Sequence, residues 1–332
     1  MKRISILCGI VLGLLTVFPT DMSAWNYLIC RNNVDGNWES EAANMTKVDE
    51  NTFYYDLSKE AIAAKSIDKI WFRLRNGDAV DGQYPQIYPQ ASGTTIAYGT
   101  STNIYYQNTT STDWSFGVEI PTFDYEKVRI TATYSNSDGA WKWYIGVDVY
   151  VNVTSAHPYS TFSFSEPLNF DEVSGFAYTA EMNGSVVEFK EFTGNAPAGA
   201  GLLLKGENVS KSVKIAASAS DLTNNVLVGA PNGGTIEPTT DGKTNFVLMN
   251  GNAGIGFYKF TSTFTLGAGT AYISTALADV AKTFIAVEDG ETTGINEIER
   301  SNDNVYYSLD GMRVNNPSKG LYVVNGKKVV LK

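Results

Sequence analysis

The chain has 332 residues, of which 25 are Lys or Arg and 35 are Asp or Glu, for a net charge of −10. That balance excludes a nucleic-acid binder, because neutralising phosphates takes clustered Lys and Arg; the acidity serves solubility. The length fits two domains of ordinary size, and Tyr, Phe, Thr, Val and Ile in short alternating runs, punctuated by 30 Gly, predict an all-β fold.

Residues 1–24 read as a signal peptide. Lys2 and Arg3 supply the positive start, Ile4 to Phe18 the apolar run, and Met22-Ser23-Ala24 a cleavage site before Trp25. The run is too short, with the wrong flanks, for a spanning helix, so the mature chain is expected to have no transmembrane helix. It is expected to be exported, to the extracellular space or the outer-membrane surface. Cys8 precedes most of the apolar run, whereas a lipidated cysteine would follow it. The mature chain then keeps only Cys30 and forms no internal disulfide. Within Tyr27-Leu28-Ile29-Cys30 that residue reads as a small buried hydrophobe.

The first module is expected over residues 25–152. A strand at Asn26–Arg31 leads through the loop Asp35-Gly36-Asn37-Trp38 to a strand at Thr52–Leu57, with Phe53, Tyr55 and Leu57 on one face. A short helix is predicted over Ser58–Ser66. The strand Ile70–Arg75 follows, and its two faces disagree. Side chains alternate along a strand, so Ile70, Phe72 and Leu74 form an apolar row while Trp71, Arg73 and Arg75 form the other. An indole between guanidinium groups suits a flat hydroxylated ligand or another protein surface; the plainer reading has Trp71 packed under a loop and the Arg residues solvating a strand face. The Tyr-rich tract from Gly82 to Asp113 predicts loops and edge strands. Strands at Val128–Tyr134 and Trp141–Val151 close the module, with Trp141 and Trp143 on the core face.

The Gly36-Asn37-Trp38 loop, the Met45-Thr46 step, the Phe53-Tyr54-Tyr55 strand and the Trp71-Phe72-Arg73-Leu74 strand together resemble the small β-sandwich carbohydrate-binding modules of bacterial starch-utilisation proteins. The resemblance implies a starch-like glucan as partner. Aromatic rings would stack on sugar faces, with Trp38 and Trp71 in that role and Arg73 and Arg75 on the hydroxyls. Physically, a sugar offers an apolar CH face and a rim of hydroxyls, which a rigid ring plus planar donors can match.

A second module is expected over residues 153–288, as short strands separated by turns such as Ala196-Pro197-Ala198-Gly199, Pro231-Asn232-Gly233-Gly234 and Asp241-Gly242. Regular short strands argue a sandwich or partly closed barrel. The series Ser160-Thr161-Phe162, Phe176-Ala177-Tyr178, Gly201-Leu202-Leu203-Leu204-Lys205-Gly206, Asn225-Val226-Leu227 and Phe246-Val247-Leu248 is similar to an accessory β-domain of secreted bacterial proteins. That resemblance implies a structural spacer. After a linker at 289–304, residues 305–332 read as two hairpins, with Asn325-Gly326 the strongest turn signal. Tyr307-Ser308-Leu309-Asp310-Gly311, Gly320-Leu321-Tyr322 and the Lys-rich end resemble a type IX secretion C-terminal sorting domain, which implies secretion machinery as a partner. A terminal hairpin that addresses nothing is the alternative.

An enzyme is not expected. His157 is the sole histidine, and no Gly-x-Ser-x-Gly elbow exists to receive it. One His and one Cys cannot assemble a zinc site, and the acidic residues are scattered in turns rather than paired. No metal, cofactor or catalytic residue is therefore assigned. Three readings stay open: a carbohydrate-binding surface protein, a structural or adhesive envelope protein, and, least supported, a hydrolase.

Overall fold

One strand, Lys142–Ser155, organises the structure. Trp143, Ile145, Val147, Val149, Val151, Val153 and Ser155 all point inward and are buried, the alternation a half-buried strand requires. The structure, a computed structural model, describes residues 43–64, 69–75, 86–88, 94–107, 116–136, 142–184, 186–276 and 284–287, together with strands Tyr27–Arg31, Tyr306–Tyr307, Arg313–Val314, Gly320–Val324 and Lys327–Leu331. The signal peptide expected at 1–24, the linker expected at 289–304, Trp38 and Trp141 lie outside these residues. The fold is all-β and antiparallel, with one six-residue helix among the described residues. No helix among them is long and apolar enough to cross a membrane.

The long strand is paired along both edges. Lys127–Ser135 takes one edge, from Lys142 opposite Ser135 to Tyr150 opposite Lys127. The other edge is divided: Thr100–Gln107 pairs over Trp143 to Val147, and Val209–Ile215 pairs over Tyr150 to Ser155. The division expected between residues 152 and 153 thus falls inside a strand. The apolar alternation runs through it without a turn residue, so the residues on either side share one sheet and one core.

In the front half two parts of one 13-stranded sheet, linked through Gln86–Tyr88 and Thr100–Gln107, share a core. Phe53 and Leu57 of Thr52–Ser58, Ile130 of Lys127–Ser135 and Ile145 look across at Ile70 and Phe72 of Lys69–Arg75 and at Phe116 and Val118 of Phe116–Glu119. Phe72 stacks on Phe116 with ring centroids 5.3 Å apart. Trp143 is a core residue, as its place in the alternation required, and lies 6.5 Å from Phe53. The predicted helix is trimmed to Lys59–Ala64, where the Ala61 N–H donates to Ser58 Oγ at 3.1 Å and Ile62 is buried; the serine satisfies a donor that the first turn leaves open.

The Tyr-rich tract corrects an expectation. Thr100–Gln107 pairs with Lys142–Ser155 over Thr100 to Ile104 and with Gln86–Tyr88 over Tyr105 to Gln107, and Gln86–Tyr88 is an interior strand, paired with Lys69–Arg75 as well. The β preference of Thr, Ile and Tyr in that run outweighs its polar composition.

Behind the front core lies a four-stranded sheet of Tyr159–Phe162, Leu202–Lys205, Ala177–Asn183 and Val186–Glu191, in that order. Leu202 and Leu204 belong to the front core, whereas Leu203 joins a second core with Ala180, Val187, Phe246, Phe257 and Ile273. This sheet is a shared middle layer, and burial on both faces is what an unbroken apolar run signifies. The third layer contains Leu227–Ala230, Thr270–Thr275, Lys243–Gly251, Gly254–Lys259 and Phe284–Ala286. Phe189 of the middle sheet stacks on Phe257 of the third at 5.8 Å. The tail strands form a separate four-stranded sheet, with Tyr306–Tyr307 against Arg313–Val314 and Gly320–Val324 against Lys327–Leu331. Both are the expected hairpins.

Middle and third layers touch through backbone at Ala200 and Val228, an isolated antiparallel bridge. A Cβ on Gly201 would sit 2.8 Å from the Leu227 carbonyl carbon, and one on Gly229 would collide with the Gly199 carbonyl oxygen and Ser163 Oγ. Gly229→Ala is therefore expected to destabilise the chain by about 1–3 kcal/mol, the cost of overpacking a site that cannot relax. Urea unfolding of the variant beside the parent checks this; an unchanged midpoint would mean the two strands separate freely.

Candidate functional site

The strand Lys69–Arg75 alternates in burial over its described side chains, Lys69 to Phe72. Ile70 and Phe72 are fully buried, while Trp71 is half-buried on the outer side. Tyr27–Arg31 pairs along one edge and places Arg31 opposite Trp71. Phe116–Glu119 pairs along the other and places Gly117 there.

That glycine decides how the indole sits. A Cβ at Gly117 would lie 3.0 Å from Trp71 Cζ3 and 3.3 Å from Cε3, so the six-membered ring occupies the space a side chain would fill. Lys69 closes in from the same row. Its Nζ lies 5.3 Å from the indole centroid and 2.5 Å from Glu119 Oε1. Gly117 itself is fastened on its other edge: its N–H donates to the Thr94 carbonyl at 2.8 Å, and its carbonyl accepts from the Ile96 N–H at 2.9 Å. The ring is thus seated on rigid backbone beside an ammonium and a carboxylate, so holding it in place adds little entropy cost on binding.

Of the four residues the sequence proposed, the structure places Trp71 in this seat. Arg73 and Arg75 take the register positions opposite Ile29 and Tyr27 on the same strand; their side chains, like Trp38, lie outside the described residues. Sequence reasoning missed Lys69, Gly117 and Glu119. The signal for Gly117 was present, since Phe116-Gly117-Val118 alternates apolar, glycine, apolar and puts the glycine in the outward row.

The opposite outer face carries a second polar cluster. Arg129 binds Asp56 through Nε and Nη2 at 2.6 and 2.8 Å, and its guanidinium lies 3.9 Å from the Tyr54 ring centroid and 5.1 Å from that of Tyr150. Lys127 adds a contact of 3.2 Å to Asp56. Burial works against the Asp56 charge, but the hydrogen bonds from Arg129 and Lys127 win and hold its carboxyl below the usual range. Burial pushes the Tyr150 hydroxyl up to about 12. This cluster satisfies itself: the guanidinium is committed to a carboxylate and two rings. It anchors the sheet face and leaves Trp71 as the better candidate for an outside ligand.

Among the described residues no group of three or more His, Cys, Asp or Glu is arranged to hold a metal. No family model, curated protein or solved structure matches the chain.

Asp148 stands next to Arg129 in the sheet register. Burial raises its pKa, and the attraction of Lys214 and Arg129 offsets this only in part. The two carboxylates therefore act in opposite senses. The Asp56 contribution is present above the unfolded pKa near 3.8 and is lost as pH falls through the lower folded value. The Asp148 cost is absent below about 3.8 and appears as pH rises through its higher folded value. Asp148→Asn should melt above the parent at pH 7, with the difference vanishing below pH 3.8. Thermal unfolding across that range checks the sign, and a variant less stable at neutral pH would contradict it.

Proposed function

We propose that the chain is an exported, non-catalytic surface protein that binds a starch-like glucan at the outer face of the strand Lys69–Arg75. The observation that carries this reading is the seat of Trp71, a half-exposed indole resting on Gly117 and flanked by Lys69 and Glu119. A ring held in that way suits the CH face of a sugar, and the two charged groups beside it suit the hydroxyl rim. Arg73 and Arg75, next along the same strand, would extend the polar side of the site. The signal-like segment at 1–24 supports export, and the C-terminal hairpins serve as the address read by secretion machinery.

The test is affinity electrophoresis of the whole mature chain in gels containing starch, pullulan, xylan or no polysaccharide. The whole chain is needed because the strand Lys142–Ser155 continues past residue 152. Retardation is expected in a starch-like gel. Trp71→Ala should weaken it roughly tenfold or more, through lost stacking and lost apolar contact. Gly117→Ala should weaken it as well, because the new methyl group displaces the indole. Equal mobility in every gel, with folded variants confirmed by melting, would replace glucan binding with a structural or adhesive role.

A further inference from the structure

A cleft of about 640 Å³ opens in the back half of the molecule, remote in sequence from Trp71. One wall is the stretch from His157 into the strand Tyr159–Phe162, which pairs with Leu202–Lys205 on a single edge. The other wall is Leu248 to Asn250, together with Ile255, from the hairpin of Lys243–Gly251 and Gly254–Lys259. Beyond Thr161, the Ser163 N–H donates to the Gly269 carbonyl at 2.9 Å, which ties the first wall to the residue before the lining Thr270.

Its lining divides by chemistry. Tyr159, Leu248 and Ile255 are half-buried and give an apolar floor. The side chains of His157, Glu207 and Asn250 stand exposed at the rim and make no hydrogen bond or ion pair with another described residue, although the His157 carbonyl accepts from Ser155 Oγ at 2.9 Å. The rim thus offers a carboxylate that accepts, an imidazole, and a carboxamide that does both, all uncommitted. The lining holds one carboxylate and no Lys or Arg, so it offers no counter-charge to an anionic ligand, and its mixed donors and acceptors suit an uncharged one. An apolar floor under a ring of mixed donors and acceptors matches a molecule with a CH face and a hydroxyl rim.

We infer that this cleft binds a short neutral oligosaccharide, or the end of a longer one. This site is separate from the Trp71 surface and does not depend on it. It gives the back half a binding role beyond that of a spacer.

His157 makes the test specific, because it is the only histidine in the sequence and its ring resonances report the cleft alone. The isotope-labelled mature chain is titrated at fixed pH with maltotriose, cellotriose and xylotriose. A saturable shift of the His157 ring signals by at least one of them is expected. Asn250→Ala and Glu207→Gln should each weaken that binding about tenfold, the loss of one good hydrogen bond. Trp71→Ala should leave it unchanged, which separates failure here from failure of the glucan surface. His157 signals unmoved by every sugar, or moved equally in the parent and both rim variants, would overturn the inference. A shift produced by the peptide Thr-Val-Thr-Val-Thr-Val and by no sugar would also overturn it, in favour of strand addition at the edge of Tyr159–Phe162 away from Leu202–Lys205.

Discussion

Cross-strand pairing along Lys142–Ser155 is the constraint on which the rest of the structure depends. Its inner row is almost entirely β-branched or aromatic and is buried from Trp143 to Ser155. A strand of that kind cannot end in the middle without exposing apolar side chains and leaving backbone donors and acceptors unpaired. Its free edge must therefore be covered along its whole length. Thr100–Gln107 covers the first part and Val209–Ile215 the rest. The front sandwich and the back sheets are joined by that shared edge.

The same economy appears in the middle layer. Leu202, Leu203 and Leu204 are each fully buried, yet adjacent residues on a strand face opposite ways. Only a layer with apolar partners on both sides can absorb such a run. The contact to the third layer is correspondingly close, down to backbone against backbone at Ala200 and Val228.

Alternation made much of the fold legible. Phe53 and Leu57, the row from Trp143 to Val151, and the hairpins of the tail lie where period-two patterning put them. What could not be read was pairing. Nothing local in Asn152-Val153 marks a strand that changes partners, and nothing local in Thr100–Gln107 says that it pairs with Lys142–Ser155 over its first half and with Gln86–Tyr88 over its second. The site shows the same limit. Trp71 stood out as an indole in a polar row, but its fixed position depends on Gly117, about forty-five residues away in sequence, and that meeting is set by register. The back cleft was invisible for the same reason, since it lies between a strand edge and a hairpin that the chain brings together from nearly ninety residues apart.

The continuous strand also bears on how such a chain could be assembled by recombination. A break at the module boundary expected near residue 152 would hand one descendant a sheet with half an edge and leave the other with half the neighbour of Val209–Ile215. An exchange that keeps both products foldable has to carry all of Lys142–Ser155 with one side and supply an equivalent strand to the other. By this geometry, the back layers fit behind a different front only if the new front ends in a strand with the same inward row.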